Sequence, residues 1–205
     1  MSFSSIIESV HKLFKYFEKL PANQIVALAR DENKALDLKE KGIEIRLGNY
    51  HETDSLLKAF KGIDTLLLIS SSDFNNRLQQ QINAINAAKE AGVKHIIYTS
   101  TGINNSENSA IQFIINDHFK TSEKIKESGL KYTILNNTLY SDVLPMFLGQ
   151  NVLETGVLLP AGEGKVSFAT AIKNKEFELY DNTLATLLGR EETSLKDYLK
   201  SVFFA

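Results

Sequence analysis

The amino-acid sequence predicts an α/β fold in which a doubly wound parallel sheet carries helices on both faces. Four times in succession, a helical pattern of apolar residues ends at a glycine and is followed by a short apolar run. Repeated helix–strand steps of this kind form crossovers, which produce parallel sheets. The run Leu66–Ile69 suits a strand that is buried on both faces. An antiparallel α+β domain would need hairpin turns, and the chain contains no Asn-Gly or Asp-Gly pair.

The first predicted element is a helix over Ser5–Lys19, where Ser5 and Glu8 fit a capping box. Pro21 interrupts that pattern, and Gln24–Arg30 follows as a short buried strand. The helices of the four repeated units cover about Glu32–Lys41, about Thr53–Lys61, about Asn75–Ala91 and a stretch that ends at Gly129. Their strands cover Ile43–Leu47, Thr65–Ile69, His95–Thr99 and Tyr132–Leu135. Glycine suits the position after a helix because that residue adopts a left-handed backbone.

Beyond Asn136 the pattern changes and predicts a smaller, loop-rich segment. Tyr140–Leu148 could form one short helix, and the following glycines mark a stretch with short extended pieces, including Val166–Ala169. Leu184–Leu188 and Leu195–Phe203 are predicted to be two short helical segments. We therefore expect residues 1–205 to form a single domain, with a core over about 1–150 and a reduced lobe over about 151–205.

Composition and charge restrict the partners of this chain. Its 205 residues include 23 basic and 25 acidic side chains, whereas nucleic acids and anionic membranes select a clustered basic excess. The chain has no cysteine, which excludes disulfides, thiol catalysis and zinc sites built on cysteine. Charged residues near the start argue against a signal peptide, and no later stretch is apolar enough to span a membrane. We therefore expect a cytoplasmic protein that binds neither nucleic acid nor membrane.

Small polar residues follow the predicted strands at their carboxyl ends, where a doubly wound sheet binds its ligands. These residues are Arg30–Asp31, Gly48–Asn49–Tyr50, Ser70–Ser71–Ser72, Ser100–Thr101–Gly102 and Asn136–Asn137. Each of them alone is equally well explained as part of a polar loop that caps a helix. The five loops together favour a ligand edge that suits a sugar or phosphate group.

Motifs for other chemistries are missing or incomplete. No Gly-rich phosphate turn precedes Gly42, and Gly162-Glu-Gly164-Lys165 lacks the Ser or Thr of a phosphate loop. The four histidines have no metal-binding spacing, no G-x-S-x-G elbow occurs, and no tyrosine has a lysine four residues later. His118 is the most informative titratable group, because it lies on the helix that follows the His95–Thr99 strand. A lone histidine on an amphipathic helix is either structural or catalytic.

Several segments of the sequence resemble one protein family. They are QIVALARDENKALDLKEKGIEIRLGNY, FKGIDTLLLISS, AINAAKEAGVKHIIYTST, and His118-x-x-Thr121-x-x-x-Ile125-x-x-Ser128-Gly129 followed by YTILNNTLY. Near the end, AGEGKVSFAT and LLGREETSLKDYLKSVF continue the match. These segments resemble the atypical short-chain dehydrogenase/reductases of the NmrA-like group. Within that group they are similar to the bacterial NAD(P)H-dependent quinone oxidoreductases and triphenylmethane reductases.

The resemblance implies a Rossmann-like domain that binds NADP, with NAD as the alternative, and a small C-terminal substrate lobe. Such enzymes pass hydride to a quinone or a similar small-molecule acceptor without a Tyr–Lys pair. The implied cofactor contacts are Arg30 at the 2′-phosphate, Asn49 and Tyr50 beside the adenine, Ser70 and Ser71 along the pyrophosphate and ribose, and Ser100 and Thr101 beside the nicotinamide. The implied catalytic residues are His118 and Tyr140.

Three departures from the family's pattern lead us to expect that NADPH binding is weak or absent. The family's first strand with its Gly-rich turn is missing, Asn136 stands where the family has arginine, and part of the C-terminal lobe is missing after Thr170. Two functions therefore stay open. One is NAD(P)H-dependent reduction of a quinone, and the other is a non-catalytic role as a nucleotide sensor or interaction module.

The missing strand also affects whether copies of this chain are expected to associate with one another. In the parent fold it lies between Gln24–Arg30 and Thr65–Ile69, so these two strands either pair directly or leave their edges open. Open strand edges invite pairing with another chain, and Val202–Phe203–Phe204 adds apolar surface. We therefore expect a homo-oligomer, most simply a dimer.

Overall fold

The structure is a computed structural model that describes residues 20–70, 76–104, 106–109, 111–138, 167–179, 183–191 and 193–203. It divides into two compact units. The first unit contains the described residues of Met1–Ser100 and Asn116–Leu135, and the second contains those of Thr101–Ile115 and Asn136–Ala205. The predicted boundary near residue 150 lies outside the described residues and stays a prediction, as do the helices predicted over Ser5–Lys19 and Tyr140–Leu148.

A two-stranded parallel sheet forms one part of the first unit. Strand β1 (Val26–Ala29) pairs with β2 (Glu44–Leu47), so that Val26 lies opposite Glu44. The connection between them is a 3-10 turn over Glu32–Ala35 followed by helix α1 (Leu36–Glu40). The Asp31 carboxylate caps this turn by accepting a hydrogen bond from Asn33 N at 3.0 Å. The apolar residues of the connection then pack on the sheet, namely Ala35, Leu38 and Ile43.

The second sheet has three strands in the order β3 (Thr65–Leu68), β4 (His95–Thr101) and β5 (Lys131–Asn137). Strands β3 and β4 are parallel, with Leu68 opposite Tyr98. Strand β5 runs in the same direction, because Lys131 N donates to Lys94 O at 3.2 Å and Thr133 Oγ1 lies 2.9 Å from His95 Nε2. The helices that accompany these strands are α2 (Thr53–Phe60), α3 (Arg77–Glu90) and α4 (Gln112–Glu127).

An apolar core holds these elements of the first unit together. Its buried residues come from both the helices and the strands, and they include Leu56, Phe60, Leu68, Ala84, Ala88, Ile96 and Ile125. Removing such side chains from water is the main driving force for folding. Alanine at two of the α3 positions lets that helix approach its neighbours closely.

Glycine is required after α3 for a backbone reason. Gly92 has a φ of 82°, and Val93 N donates to Ala88 O at 3.0 Å, which is the six-residue bond of a Schellman motif. A Cβ at Gly92 would meet nothing within 4 Å, so the space around it does not select glycine. The left-handed backbone selects it, which is why glycine marks the end of this helix in the sequence.

The strands confirm the parallel α/β fold that the sequence predicts. Each of the five predicted strands is present, and each end lies within two residues of the prediction, as in Val26–Ala29 for the predicted Gln24–Arg30. Helical segments lie where they are predicted between these strands. The helix–glycine–strand pattern is therefore a reliable guide to this part of the chain.

The strands form two separate ladders in the part of the chain that the structure describes. Strand β1 pairs with β2 and β3 pairs with β4, and β1 and β3 do not pair with each other. Direct pairing of these two strands, one of the two expected outcomes, is therefore not found among the described residues. Leu28 of β1 nevertheless packs against the apolar core that contains Leu68 of β3. Apolar packing, and not a shared ladder of hydrogen bonds, links the two sheets within the first unit.

The second unit contains helices α5 (Ser167–Lys173), α6 (Thr183–Leu188) and α7 (Leu195–Phe203). The last two confirm the predicted helical segments. The Glu176 side chain, only 1% exposed, accepts hydrogen bonds from Ser109 Oγ at 2.5 Å and from Asn174 Nδ2 at 3.2 Å. Asn104 N donates to Glu176 O at 2.6 Å. These bonds fasten the segment that precedes α4 to the turn that follows α5.

The prediction of an extended piece at Val166–Ala169 is wrong, because α5 begins at Ser167. Alanine at positions 169 and 171 has a high helix propensity, and Ala171 is fully buried. No helix in the described ranges is both long and apolar enough to cross a membrane.

Candidate functional site

The residues predicted to bind the adenosine end of a cofactor follow the first sheet. Arg30 is exposed directly after β1. After β2, Asn49 N donates to Ser55 Oγ of α2 at 2.9 Å, and Asn83 Nδ2 of α3 donates to Tyr50 O at 2.9 Å. Burial raises the pKa of Tyr50 to about 12, so its hydroxyl stays protonated at neutral pH. The loop after β2 is thus anchored to two helices.

The residues predicted to lie beside the pyrophosphate, ribose and nicotinamide of a cofactor differ in their burial and in their hydrogen-bond partners. Ser70 N donates to Thr99 Oγ1 at 2.8 Å. The Ser100 hydroxyl is buried in β4, 3.2 Å from Ser122 Oγ of α4. Thr101 belongs to the second unit, where its hydroxyl donates to Asn137 O at 3.4 Å. Ser71 and Tyr140 lie outside the described residues.

A buried polar cluster connects Ser70 to His118 within the first unit. We call it the Tyr98 cluster, and its members are Ser70, Gln81, Tyr98, His118 and Thr121. Gln81 Nε2 donates to Ser70 Oγ at 3.0 Å, and Tyr98 Oη donates to Gln81 Oε1 at 3.3 Å. Tyr98 Oη also lies 3.1 Å from His118 Nδ1, and Thr121 Oγ1 donates to Gln81 Oε1. The structure therefore brings two of the predicted site residues, Ser70 and His118, into one network.

Helical spacing brings the cluster together. Arg77 and Gln81 lie one turn apart on α3, and Asp117 and Thr121 lie one turn apart on α4. The two pairs meet, because Thr121 bonds Gln81 and Arg77 Nε lies 3.3 Å from Asp117 Oδ2. His118, next to Asp117, is thereby directed to Tyr98 of β4, with the two ring centroids 6.2 Å apart.

The electrostatics of the cluster favour neutral side chains. Arg77 is only 3% exposed, so its positive charge is weakly screened. Burial of the imidazole and, secondarily, the Arg77 charge lower the pKa of His118 from 6.5 to about 4. Burial likewise raises the pKa of Tyr98 above its ordinary value. At neutral pH both side chains are therefore uncharged hydrogen-bonding groups.

The sequence interpretation missed Arg77, Gln81 and Tyr98. A signal for each is present in the sequence. Gln81 lies one turn and Arg77 two turns before Ile85, so both share the apolar face of α3 and are buried with it. Tyr98 alternates with Ile96 and Ser100 on the buried face of β4. Polar residues at core positions of a helix or strand are the sign of such a cluster, since each needs an internal partner.

Comparison with known proteins identifies the family to which this chain belongs. The model of a family described as NAD(P)H-binding matches residues 15–145, which is more than half of the chain. The chain belongs to this NAD(P)H-binding family. The match includes both sheets up to β5 and the whole Tyr98 cluster, and it confirms the family recognised from the sequence segments.

Three relatives define the similarity more closely. Quinone oxidoreductase 2 of Escherichia coli is 39% identical over 166 residues, which are 80% of this chain and 54% of that protein. The crystal structure of the NADPH-dependent quinone oxidoreductase of Escherichia coli in complex with NADPH has a TM-score of 0.61 and 38% identity, and it covers 67% of this chain and 50% of that one. Triphenylmethane reductase of Citrobacter sp. with NADP(H) has a TM-score of 0.57 and 37% identity, over 65% and 46% of the two chains. This chain thus spans about half the length of these relatives.

The lowered pKa of His118 makes the stability of the protein depend on pH. Unfolded, the imidazole binds its proton near 6.5, whereas the folded protein resists protonation until about pH 4. Stability contributed by the neutral imidazole is therefore complete above pH 6.5 and is lost as the pH falls towards 4. We expect an NMR titration of the His118 ring to give a midpoint near 4 and the free energy of unfolding to fall over that interval.

Two variants isolate the contribution of His118. His118→Gln should remove its part of the pH dependence, whereas His51→Gln, which removes an exposed imidazole, should leave the dependence intact. A His118 midpoint near 6.5 in the folded protein would contradict the expectation.

Proposed function

We propose that this protein is an NAD(P)H-dependent oxidoreductase that passes hydride to a quinone or a similar small acceptor. The family match over residues 15–145, together with similarity to a quinone oxidoreductase crystallised with NADPH, carries the proposal. The carboxyl ends of parallel strands, where Arg30, Asn49 and Ser70 lie, are the edge at which such folds bind dinucleotides.

Arg30 is suited to hold the 2′-phosphate that distinguishes NADPH from NADH. Arg30 is exposed at the end of β1, and a guanidinium can bind phosphate through two parallel hydrogen bonds. We assign the other implied contacts as the sequence does: Asn49 and Tyr50 to the adenine side, Ser70 and Ser71 to the pyrophosphate and ribose, and Ser100 and Thr101 to the nicotinamide.

His118 is the catalytic candidate whose surroundings the structure describes, and Tyr140 stays a proposal from the sequence. When bound, NADPH supplies a hydride, and reduction of a quinone to a hydroquinone also consumes one proton. With a pKa of about 4, His118 is almost entirely neutral at pH 7. It therefore does not supply that proton from a stored imidazolium. The role of His118 is to hold a hydrogen bond at a fixed position.

Quinone-dependent oxidation of NADPH tests the proposed function. Absorbance at 340 nm should fall when the purified protein, NADPH and a water-soluble benzoquinone are all present, and it should stay constant when any one is omitted. His118→Gln should lower the rate, while the exposed-site variant His51→Gln should not. Binding of NADPH without quinone-dependent oxidation would contradict the proposal and support the alternative, a non-catalytic nucleotide sensor or interaction module.

We further infer that NADPH binding by this chain is weak. Pyrophosphate binding in this fold depends on backbone N–H groups of a Gly-rich turn, and no such turn precedes Gly42. One charge-assisted contact at Arg30 contributes only about 1.5–3 kcal/mol, whereas micromolar affinity needs about 8 kcal/mol. We expect a dissociation constant well above micromolar in a titration of NADPH fluorescence, and saturation at low micromolar NADPH would contradict this.

Substitution of Arg30 tests the 2′-phosphate contact separately. Arg30→Ala should weaken NADPH binding by roughly 10- to 150-fold and leave NADH binding nearly unchanged, because NADH has no 2′-phosphate. Lys34→Ala removes another exposed cation from the same connection and is the matched control, with little expected effect on either cofactor. Equal losses for NADPH and NADH in Arg30→Ala would contradict the assignment.

We also propose that the chain forms a homo-oligomer, most simply a dimer. Within the described residues β1 and β3 each have a strand partner on one side, and unpaired edges invite strands from another chain. Val202 adds exposed apolar surface on α7. Sedimentation velocity over a dilution series should show a dimer that dissociates on dilution, and a monomer at the highest concentration would contradict the proposal.

A further inference from the structure

The loop that follows β2 lies beside the end of β1, where Arg30 is. We call residues 48–52 the β2 loop. Gly48 donates its backbone N–H to Ala29 O at 3.0 Å, and Ala29 directly precedes Arg30. In NADPH the 2′-phosphate and the adenine are attached to neighbouring carbons of one ribose. A 2′-phosphate held at Arg30 therefore leaves the adenine within reach of the β2 loop.

Local hydrogen bonds fix the two ends of the β2 loop. Asn49 N donates to Ser55 Oγ at 2.9 Å, and Asn49 Oδ1 accepts from His51 N at 3.1 Å. Glu52 N donates to Asn49 O at 2.8 Å, which closes a four-residue turn. These bonds leave the carbonyl oxygen of Tyr50, in the middle of the turn, to a partner from another part of the chain.

That partner is Asn83 of α3. Its Nδ2 donates to Tyr50 O at 2.9 Å, although the two residues are 33 positions apart in the sequence. A backbone carbonyl only accepts hydrogen bonds, so the Asn83 amide must present its nitrogen to the loop. Its oxygen faces Gln79, one turn earlier on α3, which donates Nε2 to that oxygen at 2.9 Å. The orientation of the Asn83 amide is therefore fixed by a group that cannot donate.

Tyr50 is held at a second point by its ring. The ring packs against the apolar core of the first unit, which includes Leu56 and Leu68. The ring is thus held by the core and the backbone carbonyl by α3. Because both belong to one residue, the backbone in the middle of the β2 loop has little freedom to rotate.

We propose that Asn83 is a positioning residue that holds the β2 loop, through the Tyr50 carbonyl, in the conformation that receives the adenine of NADPH or NADH. The inference deepens the proposed function, and its meaning for the ligand rests on that function. A loop that is already ordered does not have to be ordered when the ligand binds, which increases affinity. Since both cofactors contain adenine, Asn83 contributes equally to both, whereas Arg30 contributes only to the one that has a 2′-phosphate.

Binding of two adenine nucleotides tests this role. Asn83→Ala should weaken the binding of adenosine 2′,5′-bisphosphate and of 5′-AMP by the same factor, roughly 3- to 10-fold for one neutral hydrogen bond. Arg30→Ala should weaken only the bisphosphate. Asn86→Ala, at an exposed position of α3, is the matched control and should change neither. NMR chemical-shift titrations give the dissociation constants.

Hydrogen exchange of backbone amides distinguishes positioning from a general loss of stability. In Asn83→Ala, His51 and Glu52 should exchange faster, and the interior of α3 should keep its rates. Asn83→Asp has the same shape but no N–H to donate, so it should behave like Asn83→Ala, with Asn86→Asp as the control for its charge. Unchanged exchange in the β2 loop, or faster exchange throughout the first unit, would overturn the positioning role.

Neither nucleotide carries a nicotinamide, so their binding is independent of hydride transfer. Nucleotide binding that weakens as predicted, in a protein that does not reduce quinones, would contradict the proposed function and leave the role of Asn83 intact. Equal dissociation constants for the wild type and both Asn83 variants would overturn that role. Failure of the wild type to bind either nucleotide would overturn it as well.

Discussion

The hydroxyl of Tyr98 sets the strongest constraint on the first unit. Its ring fills the buried face of β4, and the side chain is fully shielded from water. A buried hydroxyl without a partner costs roughly 1–3 kcal/mol, so the surrounding helices must supply partners. Gln81 from α3 and His118 from α4 do so. One buried phenol thus determines how both helices face the central strand.

The ion pair between Arg77 and Asp117 acts on the same two helices. A buried arginine is tolerated when a carboxylate lies close, and here Nε is 3.3 Å from Asp117 Oδ2. Removing one partner of such a pair leaves a buried charge uncompensated, so it fixes the helices in register more than it adds net stability. Its positive charge also opposes protonation of His118. The pair therefore links the packing of α3 and α4 to the chemistry of the imidazole.

The sequence predicts the parts of this structure that local patterns control. Strand positions follow from apolar runs, and glycines such as Gly92 mark helix ends because they need a left-handed backbone. The separation of β1 from β3 is a long-range property, and no local pattern reports it. The Tyr98 cluster was missed for a related reason. Gln81 lies on the apolar face of its helix, but its partners Tyr98 and Ser70 are distant in the sequence, so only the fold shows that they meet. His118, by contrast, is recognised from its position after β4.

Arg30 and Arg77 show that an arginine side chain serves different purposes when it is exposed and when it is buried. Arg77 lost its hydration when the protein folded, and its charge is held beside Asp117 and lowers the pKa of His118. Arg30 is exposed at the end of β1, so its interaction with a phosphate would be formed only when a ligand binds. An exposed guanidinium can distinguish ligands by their charge, because its interaction with a phosphate contributes to the free energy of binding. A buried one cannot, and it serves instead to set the protonation of its neighbours. The first unit therefore combines a charged edge suited to recognition with a neutral interior suited to directed hydrogen bonds.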